Sequence, residues 1–388
     1  MAQILQDVLM ASFVRGLISR AYSPALFLSR HLGFGIDGRN VEQVPGLVYN
    51  YDIFDNVRTV SNARAPSASA GTVAPNTVGK NTVALATFRE KLALEYGQLI
   101  NIRQLGRNAD DRDMMGAKYI ERQVKYLRQR ADNLREFVTG ALFQGGKYGF
   151  FLNGDDWVPT YDTGNATVTV DLKLDSGNVL TGGSFAAGLQ MGTGSNIIDA
   201  AWSSTSTDIP AHLDKIGSAL QDLVGAPLAR VYCGTDVWAN VINNDKVRQI
   251  AGTSNISADF TQEPDKGPDG QLTGFVKSTL KARPWVTFYV WDGSLKVAAT
   301  NASTFTNVKL LPRNYITFMV DPEASPWLRM VEGSDYIADN DWTDPVERFG
   351  FYAWAQQKSD LARVWYHTFQ AVGLELNMPK GIGYARVQ

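Results

Sequence analysis

The chain has 388 residues, 44% hydrophobic and 20% charged, which excludes a disordered or collagen-like protein and leaves one large or two intertwined folded units. Its 37 basic and 39 acidic residues nearly cancel to −2, so the large positive excess of a simple nucleic-acid binder is missing. A single cysteine, Cys233, excludes an internal disulfide framework and a four-thiolate metal site, and His31, His212 and His367 form no ligand pair at helical spacing. With neither a run of about 18 apolar residues nor a secretory cleavage pattern, a soluble protein made in a reducing compartment is expected.

In chain order, residues 3–21 carry Ile4, Val8, Leu17 and Ile18 on one side and Asp7, Arg15 and Arg20 on the other, which predicts an amphipathic helix that must dock on something. Residues 46–60 predict a strand, 61–81 a tract of small turn-formers that cannot supply a core, and 82–96 a second strand. Together they read as a long hairpin with a polar tip, unstable unless it leans on another surface. Residues 108–146 predict a long helix, with Leu127, Ala131, Leu134 and Val138 on one narrow stripe and Gly145 and Gly146 as its stop. Beyond it, Val168, Val170 and Leu172 alternate as a half-buried strand. Helices are predicted at 211–224 and 235–249, strands at 228–233, 284–291, 314–320 and from 349 onward, and a polar loop at 252–272.

Chemical motifs are sparse. Gly145-Gly146-Lys147 lacks phosphate-loop spacing, is followed by Tyr148 instead of Ser or Thr, and stands at a helix C-terminus, where the dipole repels phosphate. Gly192-Thr193-Gly194 lacks a third glycine, and Cys233 sits in an apolar run that suits a buried thiol. His212 and His367 have no nucleophile or carboxylate constellation near them in sequence. The run Glu332, Asp335, Asp339, Asp341, Asp344 and Glu347 holds no base between its members, but it lacks the turn glycine and final glutamate of a calcium loop. It reads as a solvated or partner-facing acidic surface, with the site of a two-domain hydrolase or carbohydrate-binding protein as a lesser alternative.

Charge is unevenly spread. Residues 1–147 hold 19 basic and 13 acidic residues, or +6, and residues 148–388 hold 18 basic and 26 acidic, or −8. A basic arm, hairpin and helix joined to an acidic body suggest head-to-tail contact between identical copies. The contact candidates are Arg15, Arg58, Arg64, Lys80, Arg89, Arg122 and Arg128 on one side and Asp339, Asp341, Asp344 and Glu347 on the other. Compensation within one chain is the plainer alternative.

The order of these elements resembles the major capsid protein of tailed phages, the Hong Kong 97-type fold, and within it the lambda-like major capsid family. Local patterns that carry the likeness are Gly146-Lys147-Tyr148 after the long helix, Arg230-Val231-Tyr232-Cys233 leading to Asp236 and Trp238, and Leu311-Pro312-Arg313-Asn314 before the strand at 315. The resemblance implies an α+β fold with an N-terminal arm at 1–45 and an extended loop at 46–96. It further implies a peripheral domain at 97–205 with the spine helix at 108–146, an axial domain at 206–340, and a return to the peripheral domain at 341–388. It implies a shell of pentamers and hexamers around double-stranded DNA, assembled in host cytoplasm. Portal, scaffolding and decoration proteins would be its further partners, with no membrane, cofactor, metal or catalytic residue. An encapsulin-type compartment is the alternative on the same fold.

Overall fold

The computed structural model describes residues 27–35, 38–54, 78–95, 114–181, 189–191, 196–251, 260–266, 272–280, 283–322, 327–338, 345–357 and 363–388. Among them the protein is α+β, and the chain divides into two compact units built from interleaved segments. The first takes residues 1–49, 84–138 and 329–374, and the second takes 50–83, 139–328 and 375–388. The predicted helix at 3–21 lies outside the described residues.

In the first unit, helix α1 (Phe27–His31) and strand β1 (Val41–Gln43) precede β4 (Ala86–Glu95) and most of helix α2 (Met114–Gly140). The later strands are β16 (Leu328–Glu332), β17 (Ser334–Ala338), β18 (Pro345–Phe349), β19 (Tyr352–Gln357) and β20 (Arg363–Leu376). Strand β20 organises the sheet. Strand β4 runs antiparallel to it from Ala86 opposite Val372 to Glu95 opposite Arg363, β19 also pairs with it, and β16 links it to β1. Alternation gives β20 two faces. Tyr366, Thr368 and Gln370 are buried on the side of α2, where Gln370, with its amide nitrogen toward the Ala131 carbonyl (3.1 Å), takes Arg135 Nε on its oxygen. Phe369, on the other side, joins Val44, Leu85, Val331 and Ala371 in a small core.

Helix α2 is about 40 Å long at 1.5 Å per residue. Leu127, Ala131 and Val138 are buried, as the stripe requires, while Leu134 is only half-buried. From Arg135 to Gly140, however, every residue is buried. The narrow stripe therefore becomes an enclosed segment: residues 28, 29, 34 and 332 close over Arg135 and Glu136, on the flank that periodicity alone assigns to solvent, and Tyr161 and Leu310 stand against Gly140. The helix ends at Gly140, followed by a 3-10 turn at Ala141–Phe143. Gly145 and Gly146 then reverse the chain with φ of +86° and +78°.

The two-stranded ribbon of β2 (Val48–Phe54) and β3 (Val78–Ala84) is the base of the predicted hairpin, and its tip at 55–77 lies outside the described residues. Two expectations change here. The small-residue tract gives way to strand at Val78, not after Asn81, and the strand expected over 82–96 is two strands with separate partners. The break is at Leu85, whose N–H donates to the Leu47 carbonyl (2.9 Å) and whose side chain is held in the small core. On the ribbon, Asn81 Nδ2 donates to Tyr51 Oη (2.9 Å) and to the Asp171 carbonyl (3.1 Å).

The second unit holds β5 (Lys147–Asn153), β6 (Asp156–Thr160), β7 (Val168–Asp171), β8 (Val179–Leu180), helix α3 (Ile209–Val224), β9 (Arg230–Cys233), α4 (Thr235–Asn243) and α5 (Asp245–Ala251). It continues with β10 (Phe260–Lys266), β11 (Leu272–Leu280), β12 (Arg283–Val290), β13 (Ser294–Ala298), β14 (Phe305–Lys309), β15 (Tyr315–Met319) and β21 (Ile382–Arg386). Its main sheet runs β10-β11-β12-β9-β15-β21-β8, with β9 parallel to β12 and antiparallel to β15. Strand β9 is buried at all four residues, as an apolar central strand must be. Phe143 packs on Tyr232 at one face (4.9 Å between rings), and Trp238 of α4 packs on Phe288 at the other (5.3 Å). Helix α3 starts where Asp208 accepts from Ala211 N–H (3.0 Å) and stops at Gly225 with φ +80°. The helix expected over 235–249 breaks at Asn244, whose side-chain oxygen accepts from the N–H groups of Lys246 and Val247 (both 3.1 Å) and starts α5. Part of the expected loop 252–272 is strand: β10 pairs antiparallel with β11 despite its polar composition.

Gly140 marks a close approach. A Cβ there would lie 2.3 Å from Tyr161 Oη and 2.6 Å from Leu310 Cδ2. Alanine favours a helix over glycine by about 1 kcal/mol, but overpacking costs about 1–3 kcal/mol. Gly140→Ala is expected to lower the urea midpoint of the chain, and a raised midpoint would show that the close approach carries no strain.

Candidate assembly surfaces

Helix α2 holds the chain where the predicted arm joins the body. Glu136 Oε1 accepts from Leu28 N–H (2.7 Å), and Oε2 accepts from Ser29 N–H (3.0 Å) and Ser29 Oγ (2.7 Å). Burial pushes this carboxyl up to about 7, with the Ser29 and Leu28 donors holding down the rise. Next to it, Arg135 is fully buried. Its Nη1 donates to the Phe34 carbonyl (3.0 Å) and its Nη2 pairs with Glu332. Burial lowers the Arg135 pKa against the opposing pull of Glu332. Asp132, also buried, is raised by desolvation against the attraction of Arg128 and Arg135. Sequence reasoning did not single out Arg135 or Glu136, and it placed Glu332 in a solvated or partner-facing acidic run, whereas Glu332 is buried against Arg135. One signal was available: Arg135 stands four residues after Ala131, beside the apolar stripe.

The contact candidates fall into distinct settings. Arg15, Arg58, Arg64, Asp339, Asp341 and Asp344 lie outside the described residues. Lys80 is exposed on β3 and Arg122 on α2. Arg89 of β4 pairs with Asp335 of β17 while its side chain keeps 60% exposure. Arg128 pairs with Asp132 (3.2 Å) and stands over the Phe351 ring (4.9 Å). Glu347 accepts from Ser334 Oγ (2.6 Å). Charge compensation within the chain thus operates at Arg89 and Arg128, and further ion pairs join Arg130 to Glu90 and Arg329 to Glu42 (2.5 Å).

Two ribbons leave large side chains in solvent. On β2–β3 these are Val48 and Phe54, and on the β17–β18 pair it is Tyr336, 65% exposed. A two-stranded sheet is marginal by itself, so an exposed ribbon carrying apolar side chains is suited to lie on another surface.

Catalytic groupings are poorly supported. His212 does acquire a carboxylate that sequence spacing could not reveal: its Nε2 is 2.9 Å from Asp199 Oδ1, and Trp202 Nε1 donates to its Nδ1 (3.1 Å). Nδ1 is therefore the acceptor and Nε2 carries the proton toward Asp199, so both ring nitrogens are engaged and neither is left to activate a nucleophile. Burial lowers the His212 pKa, opposed by Asp199. His367 stacks on Trp354 (4.9 Å), and Cys233 is buried with its thiol pushed up by desolvation. Among the described residues no group of three or more His, Cys, Asp or Glu side chains is placed to hold a metal ion.

No family model matches the sequence, and no curated relative does. Solved structures resemble it along most of its length. A putative capsid protein of an Escherichia coli prophage is 13% identical, with 98% of this chain and 99% of that one covered and a TM-score of 0.49. A phage-related protein from Bordetella bronchiseptica is 9% identical, with 97% of each chain covered and a TM-score of 0.48. The mature capsid of bacteriophage PhiM1 is 10% identical, with coverage of 89% and 85% and a TM-score of 0.41.

Proposed function

We propose that this chain is a major capsid protein of the tailed-phage type, with the Hong Kong 97-type α+β fold. Copies of it close as pentamers and hexamers into an icosahedral shell around double-stranded DNA. The observation that carries this reading is the order and interleaving of its own elements. An exposed two-stranded ribbon and a 27-residue helix come first, the helix lies on a five-stranded sheet completed by strands from late in the chain, and an α/β unit is inserted between. On this reading residues 97–205 and 341–388 are the peripheral domain and residues 206–340 the axial domain. The ribbons and the segment anchored by Glu136 reach neighbouring copies, which supply the surface that a two-stranded sheet lacks alone.

The split of +6 against −8 along the chain supports contact between unlike surfaces of identical copies. Arg15, Arg58, Arg64, Lys80 and Arg122, with Asp339, Asp341, Asp344 and Glu347, are proposed to lie in such contacts. Arg89 and Arg128 are proposed to contribute there while keeping their intrachain partners. The protein has no catalytic role in this proposal. It resides in the virion after assembly in host cytoplasm with portal, scaffolding and, in some shells, decoration proteins.

Electron microscopy of the purified chain tests it. Closed particles of uniform size are expected, and a chain that stays monomeric even with its scaffolding partner would overturn the reading. Particles that hold a protein cargo and no nucleic acid would assign the chain to an encapsulin-type compartment instead.

A further inference from the structure

The sheet of the first unit has one face under α2 and one turned away from it. On the second face Trp354, His367 and Lys91 stand side by side across β19, β20 and β4, with the Trp354 and His367 rings stacked (4.9 Å). The cations here rest on aromatic rings: Lys91 Nζ over Trp365 (5.1 Å), Arg89 over Phe369 (5.6 Å) and Arg348 of β18 over Tyr352 (5.2 Å). Arg89 also pairs with Asp335, the residue opposite Arg348 in the β17–β18 register. Among the described residues Lys91 and Arg348 pair with no carboxylate. Glu90 points to the α2 side and is taken by Arg130, and Glu42 of β1 is taken by Arg329 (2.5 Å). Glu95 and Arg363 oppose each other at the far end of the β4–β20 pairing, and their side chains lie outside the described residues. The described acids of the sheet are thus paired, buried or turned to α2, and positive charge is left over on this face. A cation resting on a ring keeps its charge and its N–H donors for a further anion.

We propose that this face receives the acidic segment 339–344 of a second copy, with Lys91 and Arg348 as the cations that meet its carboxylates. The inference rests on the shell reading above and narrows its contacts to one pairing of surfaces. The segment, Asp339-Asn340-Asp341-Trp342-Thr343-Asp344, joins β17 to β18 and carries three acids and no base. Charge complementarity selects it as the occupant, and Trp342 suits a surface of aromatic rings, since tryptophan is a common anchor of protein interfaces. The ribbon favours another copy over the same one. Its last described pair, Ala338 opposite Pro345, stands about 10 Å along it from Asp335 and Arg348 at 3.4 Å per residue. Arg348, and β4 through the pair of Arg89 with Asp335, are therefore at the root end of the ribbon, and the acids follow its other end.

The test is a charge swap in the full-length chain, with assembly followed by sedimentation and electron microscopy and folding by circular dichroism and urea midpoint. Lys91→Glu/Arg348→Glu is expected to raise the protein concentration needed for assembly about tenfold or more, because like charges then meet. Asp341→Lys/Asp344→Lys is expected to do the same. The chain that carries all four changes is expected to assemble again near the wild-type concentration, and the urea midpoint of the unassembled chain is expected to stay constant throughout. The neutral variant Lys91→Gln/Arg348→Gln is expected to assemble less readily than wild type and to show a weaker dependence on salt. Normal assembly of both charge-reversed variants overturns the proposal, as does a four-change chain no better than either. A swap that restores a lost urea midpoint in the unassembled chain assigns the contact to a single copy and also overturns it. So does a Lys91→Glu/Arg348→Glu variant that assembles normally but loses binding to a 30-base-pair duplex. A wild-type chain that forms only open, salt-sensitive oligomers, abolished by either reversal and restored by the swap, keeps the pairing and removes the shell reading, so the two failures are separable.

Discussion

Arg135→Met is expected to lower the unfolding free energy of the unassembled chain by about 3–5 kcal/mol, the usual cost of removing one partner from a buried ion pair. The guanidinium is fully enclosed, and its acceptors include the Phe34 carbonyl, Glu332, Gln370 and the Met330 sulfur. Methionine fills much of the volume but leaves the Glu332 carboxylate, 5% exposed, without a counter-charge, and leaves the Phe34 carbonyl without this donor. The double variant Arg135→Met/Glu332→Met should recover most of the loss, because a buried pair replaced whole by apolar groups is often nearly neutral. Urea unfolding followed by tryptophan fluorescence measures both. A single-variant loss below about 1 kcal/mol, or a double variant no better than the single, would remove the pair from any role in holding residues 27–34 to the helix.

The second large effect is on pH. Glu136 is a carboxyl whose ordinary value of 4.5 is raised to about 7 by burial in the folded chain. The native state therefore keeps a proton that the unfolded chain gives up between these values. The contribution of this group to stability is greatest below about pH 4.5, declines as pH rises to about 7, and is flat above. The whole change attributable to this group is about 3 kcal/mol. Glu136→Gln carries no titrating proton. It sets an amide nitrogen against the Ser29 or Leu28 donors, so it is less stable at low pH, but its unfolding free energy should lose this decline with pH. Asp132, raised by burial, adds a smaller slope of the same sign, and the difference between wild type and Glu136→Gln cancels it. Parallel curves for the two proteins from pH 4.5 to 8 would show that Glu136 does not titrate in this window. Hydrogen exchange at the amides of Leu28 and Ser29 gives the local counterpart, faster at pH 8 than at pH 6 after correction for intrinsic rates.

Much of the fold was legible because its signals are local. Helix α3 carries its own stripe, an Asp208 cap and a Gly225 stop within 18 residues, and β9 is an apolar run bounded by turns. The break at Asn244 was also local, since asparagine is a helix-starting residue, but the continuing apolar period on both sides masked it. The division at Leu85 left no mark on the alternation of residues 82–95. It exists because β3 finds β2 while β4 finds β20, and strand partners far apart in sequence are not encoded in either strand's period. Strand β10, FTQEPDK, reads as loop until β11 is seen to supply its hydrogen bonds.

The candidate surfaces divide the same way. From residue types alone came the order of ribbon, long helix and inserted α/β unit, the near-neutral total with its unequal halves, and the buried character of Cys233. Only the tertiary structure decided which charges face solvent. Arg122 and Arg135 are the same residue type on the same helix, one exposed and one buried. Their fates differ because residues 27–34 and Glu332, distant in the chain, close over one flank of α2 and leave the other open. Burial of a charge depends on what packs against it, and a helical period records only the direction in which each side chain points.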